Sequence, residues 1–229
     1  MPTLKRPAPP QLPSDSPLLV VPRAWLAGLA VLIVAPWEGG HVSLAIGLPT
    51  AVLVARGGSL VGAVAMLPLG ASAAMLGFGF LLAFDAPPLD LRSSPWIVPL
   101  AQALIATPFV VRTVAPRLRA IDASLREAAA VLGAPPGRVR REIVLPLASR
   151  AVATAAALAF AVCLGEFGAA LFLSRADWPT LPVAIFRFLG RPGELNAAQA
   201  YALAVVLMIV TALAVFLVER VRSHRGGWV

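Results

Sequence analysis

"REAAAVLGAPPGRVRREIVLPL", residues 126–147, divides this chain into two apolar halves. The stretch is basic, amphipathic and interrupted by a Pro-Pro pair, while long apolar runs flank it on both sides. A polar insert between runs of membrane-spanning length belongs outside the bilayer that its neighbours cross. Upstream, "RLRAIDASLREAAAVL" (117–132) sets Leu118, Ile121, Leu125, Ala128 and Leu132 at spacings of three and four. That spacing predicts one helix with a single apolar stripe, flanked by Arg117, Arg119, Arg126 and Glu127. Gly133 then supplies a left-handed stop, and Pro135-Pro136 forbid continuation. Pro136 suits the first turn of a second helix through "GRVRREIVLPL", with Val139 and Ile143 together and Arg138, Arg140 and Arg141 elsewhere. The pair reads as a helix–turn–helix outside the membrane, tethered by a span at each end.

Composition agrees. The chain is 59% apolar and 13% charged, with a mean hydropathy of +0.85. A soluble domain of 229 residues has no interior large enough for that much apolar surface, so the chain is an integral membrane protein. The net charge of +8 would point to nucleic acid in a soluble protein. Here the arginines border apolar spans, which is the positive-inside bias of cytoplasmic loops, and no nucleic-acid partner is expected. The single cysteine, Cys163, lies inside an apolar run and reads as a small packing residue.

A hydrocarbon core of roughly 30 Å takes about 20 apolar residues in a helix. Segments 59–84, 96–114, 147–173 and 199–218 meet that length. Residues 24–37 and 42–55 are apolar but short, and "WEGGH" separates them. They form either two tightly turned spans or one broken span. Arg56, the arginines between 112 and 150, and Arg220, Arg222 and Arg225 should share the cytoplasmic side. If Lys5, Arg6 and Arg23 join them, the first region crosses twice. The expectation is therefore an all-α bundle of about six spans with both ends inside. Lys5 and Arg6 are followed by "PAPPQLPSDSP" rather than an apolar run, so residues 1–17 read as a disordered tail and not as a cleavable signal. Residues 18–220 form the membrane domain, its polar loop at 115–146, and 221–229 a cytoplasmic tail.

Two bland readings of the loop stand beside a functional one: an amphipathic helix lying on anionic lipid, and a solvated basic loop. Neither accounts for small alanines and a glycine turn at its centre. The segment "EAAAVLGAPPGRVRREIVLP" fits the pattern E-A-A, three residues, G, nine residues, I-x-L-P, with Glu127, Ala128, Ala129, Gly133, Ile143, Leu145 and Pro146 in register. This resembles the EAA loop of inner-membrane permease subunits of binding-protein-dependent ABC importers. The resemblance extends over roughly residues 43–220, and "GEFGAALFLSRADWPTLPVAIFRFLG" is similar to permeases of the ferric-iron and thiamine branch. It implies that Glu127 through Gly133 form a coupling helix docked on a cytoplasmic ATPase subunit. It also implies a second permease half, because such permeases usually carry two EAA loops and this chain has one. An extracytoplasmic substrate-binding protein and membrane lipid complete the implied partners, and ferric iron or thiamine the implied substrates.

No G-x-x-x-x-G-K-[ST] occurs, so ATP hydrolysis is expected in a separate subunit and no cofactor in this one. "GASA" (70–73) loosely resembles a serine-protease motif, but His41 and His224 are poorly placed to serve as its base, so no catalytic residue is expected. Two distant histidines and one cysteine make no metal site. Glu166 is an ionisable group inside the run 147–173, about 24 Å beyond Arg150. It is either a pathway residue or a solvated interfacial one. Gly165 and Gly168 flank it, and the three are read as a pathway or gate turn with close helix contact. Asp177 and Trp178 read as interfacial, and Gln102 and Arg112 as weaker pathway candidates. The competing function is an orphan permease half acting as a membrane scaffold without transport.

Overall fold

The computed structural model describes the backbone of residues 23–223 except 88, 93, 176 and 177, and side chains within 38–220, with 217 and 218 excepted. The tail expected at 1–17, Asp177 and residues 224–229 lie outside the described residues. The described elements are all helical: α1 Arg23–Ala55, α2 Ser59–Met66 with a 3₁₀ turn Leu67–Gly70, α3 Ala73–Ala83, α4 Ile97–Arg119, α5 Ala123–Val131, α6 Pro136–Val139, a π turn Arg140–Val144, α7 Leu145–Gly165, α8 Gly168–Leu173, α9 Leu181–Leu189 and α10 Glu194–Ser223.

"WEGGH" is not a turn. It lies within the unbroken α1, and its glycines begin a stripe of small residues at intervals of four: Gly39, Ser43, Gly47 and Ala51, all buried. A Cβ on Gly39 would stand 2.8 Å from Gln102 Oε1, and one on Gly47 would stand 2.7 Å from Val110 Cγ1. The stripe thus lets α1 lie directly on α4, as small residues do between membrane helices. The facing residues of α4 are Gln102, Ala106, Val110 and Val114, and α7 adds Ala155, Ala159 and Cys163. Three lines of small side chains at helical spacing make this inner core. Leucine-rich faces are left to lipid, with Leu53, Met208 and Phe216 exposed.

The direction of α1 decides the topology. Gly39 meets Gln102, Gly47 meets Val110, and the Val54 carbonyl accepts from Arg119 at 2.7 Å. Contacts that advance together along both helices mean that α1 and α4 run parallel, so the chain between them must cross the membrane once. That crossing is the apolar segment 59–84. It is broken rather than straight: α2 with its 3₁₀ turn meets α3 at 105°. Pro68 lacks the N–H to continue α2, Ala71 is extended, and Ser72 caps α3 by accepting from the Met75 N–H at 3.1 Å. With α1, α4, α7 and α10 the count among the described residues is five crossings, against the expectation of about six. The arginine blocks at 112–150 put the C-terminal ends of α1 and α4 inside, so Arg23 begins outside, opposite to the expectation of two cytoplasmic ends. The reason is that one helix replaces two short spans.

Cysteine labelling tests this arrangement. A cysteine at Asp90 should react with an impermeant thiol reagent from outside, and one at Ser124 only from inside. A cysteine at residue 14 tests whether the chain before Arg23 adds a further crossing, which labelling from outside would exclude. Labelling of residue 14 only from inside would restore six crossings.

Two further helical stretches are broken where the sequence reads as continuous. The run 147–173 breaks after Gly165, where Glu166 turns extended and α8 starts two residues later. The helix expected over 117–132 breaks at 120–122, so Leu118 packs with the inner core while Leu125 stays on α5. A second, outer core joins Ile97, Val98 and Ala101 of α4 to Ala169, Ala170 and Leu173 of α8 and Val183 of α9.

Candidate functional site

The loop that opened the sequence is a hydrogen-bonded corner on the arginine-rich side of the bundle. Asp122 starts α5 by accepting from the Ser124 N–H at 2.9 Å, and that bond holds its carboxyl below the usual carboxylate range. At the other end Gly133 has φ +78°. Its N–H donates to Ala130 O at 2.9 Å, and Ala134 N–H donates to Ala129 O at 2.9 Å. Those two bonds are a Schellman stop, which satisfies carbonyls at the end of α5 and reverses the chain. Pro135 is extended and Pro136 opens α6, as the Pro-Pro pair predicts. Arg119 ties the corner to the last turn of α1 through Val54 O, and Arg126 reaches Leu118 O at 3.4 Å.

The expected coupling residues do not all share one surface. Glu127 and Ala128 are exposed, whereas Ala129 is buried inside the corner. Ala129 thus faces into the corner, where α5 and α6 are in contact. Val131 and Leu132 are 87% and 86% exposed, and Leu125 is also exposed, so this small element presents more apolar surface than its own corner can cover. Ile143 is half-buried, and Leu145 and Pro146 are exposed. They lie where the second helix enters the membrane rather than on the corner. That helix is not separate from the span: Pro136 to Gly165 is one helical run. Pro146 has no N–H for the carbonyl four residues earlier, and the run widens into a π turn with Leu145 N–H on Arg140 O.

The second candidate group lies at the outer end of α7. Glu166 is 7% exposed, so it is not the solvated interfacial residue of the bland reading. Its two carboxylate oxygens accept from Ala169 N–H at 2.7 Å and Ala170 N–H at 3.0 Å. It caps α8. Gly168 is in tight contact, since a Cβ there would stand 2.9 Å from both Ala73 Cβ and Ala74 N. Gly165 is not: it is exposed, and a Cβ there would meet nothing within 4 Å. The close packing expected at Gly165 belongs instead to Gly77, whose Cβ would fall 2.5 Å from Ala169 Cα.

Gln102 is more than a weak candidate. It is fully buried, and its Nε2 donates to the Cys163 carbonyl at 3.0 Å, clamping α4 to the last turn of α7. Its Oε1 faces Gly39 and has no hydrogen-bond partner among the described residues. The sequence signal was present, an amide at four-residue register with Ala106 and Val110, but its partner is 61 residues away. Outside the membrane, Arg92 pairs with Asp85, and Arg187 donates to the carbonyls of Ser174 and Arg175. The outer connections thus carry mixed charge, in contrast to the arginine-rich inner side.

A broken helical bundle, with five crossings among the described residues and a capped basic corner at one face, defines a multi-pass membrane protein. The chain belongs to the family described as "Binding-protein-dependent transport system inner membrane component", which matches residues 18–224. It is 34% identical over 160 residues to the permease protein PhnV of Salmonella typhimurium, covering 70% of this chain and 59% of that protein. It is also 34% identical over 147 residues to PhnU of Salmonella typhi, covering 64% of this chain and 50% of the relative. Both relatives are named for a 2-aminoethylphosphonate transport system, and this chain spans less than two thirds of either. Among solved structures, a chain from inward facing conformations of the MetNI methionine ABC transporter superposes with a TM-score of 0.68 at 22% identity. The match covers 90% of this chain and 99% of that one, and it establishes the shared fold.

Proposed function

We propose that this chain is the permease subunit of a binding-protein-dependent ABC importer. It lines the translocation pathway together with a second permease half, and takes its motion from a separate ATPase subunit at the α5 corner. The observation that carries this is the corner itself: exposed Glu127, Ala128, Leu125 and Leu132 on a helix stopped by a Schellman turn and tied by Arg119 to α1. Such an element transmits force because its ends cannot flex, and its exposed leucines are costly to leave in water. An extracytoplasmic substrate-binding protein delivers the solute. The substrate class proposed first is a small organophosphonate such as 2-aminoethylphosphonate, ahead of ferric iron or thiamine, because the relatives sharing 34% identity carry that name. Hydrolysis of ATP is assigned to the partner, so the chain is a transport component and not an enzyme.

The test is reconstitution with an ATPase subunit, a second permease half and a substrate-binding protein, measuring uptake of labelled 2-aminoethylphosphonate, ferric iron and thiamine in parallel. The expected result is ATP-dependent uptake of the phosphonate. Uptake of another solute would keep the permease reading and move the substrate. Stable association with the ATPase and no uptake of any solute would support the scaffold reading.

A further inference from the structure

We propose that Glu166 is the positioning residue of an outer gate, formed by α3 and α8 moving as one unit; this rests on the reading of the chain as a permease. Five observations converge on it. The inner and outer hydrophobic cores share no residue, and α4 alone supplies side chains to both. The outer core contains α8 with partly buried Phe80, Leu81 and Phe84 packed against it. Helices α3 and α8 touch backbone to backbone at Gly77 and Ala169 and again at Ala73 and Gly168. Phe78 and Phe172 close that contact edge to face, with centroids 6.1 Å apart. Surfaces this tight move together, because any sliding drives backbone atoms into one another.

Each helix of the pair joins the rest of the chain through a joint with free space. At 70–72, extended Ala71 separates the 3₁₀ turn from α3; at 165–167, extended Glu166 separates α7 from α8. The glycine of each joint, Gly70 and Gly165, has nothing within 4 Å of where a Cβ would be. Both joints enter the pair at its same end, where Ala73 lies against Gly168, which is the layout of a block hinged at one edge.

Glu166 pins that block. A carboxylate buried at membrane depth is costly, and no cation pairs with it among the described residues. Its compensation is the pair of N–H bonds at the start of α8. One of those donors, Ala169, is the residue on which Gly77 sits, so the carboxylate fixes the contact point of α3 as well. Gln102 holds the other side of the joint through the Cys163 carbonyl. The bonds of Glu166 persist only while α8 begins where it does, so the carboxylate sets the resting position of the gate. Glutamine at this position keeps the size but replaces one acceptor oxygen by a donor that faces an N–H.

The experiment uses the complex with its ATPase and binding protein in proteoliposomes. Glu166→Gln is expected to lower uptake about tenfold or more, the equivalent of one charge-assisted hydrogen bond lost from a coupled step. Subunit association and ATP hydrolysis should persist and become independent of the binding protein. In a Cys163→Ala background, Phe78→Cys with Phe172→Cys bridged by a short bifunctional thiol reagent should transport as well as the unbridged pair. Normal uptake by Glu166→Gln overturns the positioning role, as does loss of uptake accompanied by loss of association. Loss of uptake only on bridging shows that α3 and α8 separate, and overturns the single gate. A wild-type complex without uptake overturns the permease reading instead.

Discussion

Alanine at Gly77 is expected to be among the most damaging single-atom-scale changes in the protein, while alanine at Gly79, on the same helix, is harmless. A Cβ at 77 would lie 2.5 Å from Ala169 Cα and 2.8 Å from its carbonyl oxygen, whereas one at 79 has open space. Ala169 is main chain, so no side chain can rotate away. Overpacking of this kind costs about 1–3 kcal/mol, and the upper end applies where backbone must shift. The helical preference of alanine returns at most about 1 kcal/mol. At Gly79 that preference acts alone. Thermal unfolding in detergent should show Gly77→Ala melting about 5 °C or more below wild type, with Gly79→Ala and Gly165→Leu near or above it. Equal melting of the Gly77 and Gly79 variants would show that the α3–α8 contact is looser than described.

Substitution of Gly133 should uncouple the subunit without unfolding it. At φ +78° a β-branched residue carries a penalty of about 2 kcal/mol, and the turn escapes it by giving up one or both Schellman bonds, each worth about 1 kcal/mol. Asparagine tolerates this region best, alanine less, valine least. Association with the ATPase and uptake should therefore fall in the order Asn, Ala, Val, with Gly133→Val losing both. Membrane insertion should be unchanged in all three, since the corner lies outside the spans. A valine variant that binds the ATPase and transports normally would refute the coupling role and leave a lipid-surface helix as the better account of α5.

The corner is the part of the site that local chemistry determines. Its stop at Gly133, its reversal at Pro135-Pro136 and its basic flanks all act between residues a few positions apart, so the chain alone specifies them. Membrane residence is equally local, because burial of apolar area in lipid needs no particular neighbour. The inner end of each span is likewise legible from Arg56 and the arginines at 112–150, which stay on one side whatever the packing.

What the sequence left open depends on neighbours it does not adjoin. A Gly-Gly pair in "WEGGH" serves a turn or a close helix contact equally well, and only the presence of α4 against Gly39 and Gly47 selects the contact. That choice turned two spans into one and moved residue 23 across the membrane. Ala128 and Ala129 are chemically alike, and only the folding of the corner leaves one exposed and the other buried. The breaks in 59–84 and 147–173 were hidden because apolar composition is the same on a straight helix and a bent one. Glu166 looked like a charge in lipid until α8 brought two N–H groups to it. Hydropathy and capping are sums over adjacent residues, and they fix what each segment is; parallel or antiparallel packing, and which small residue meets which, are set by three helices at once.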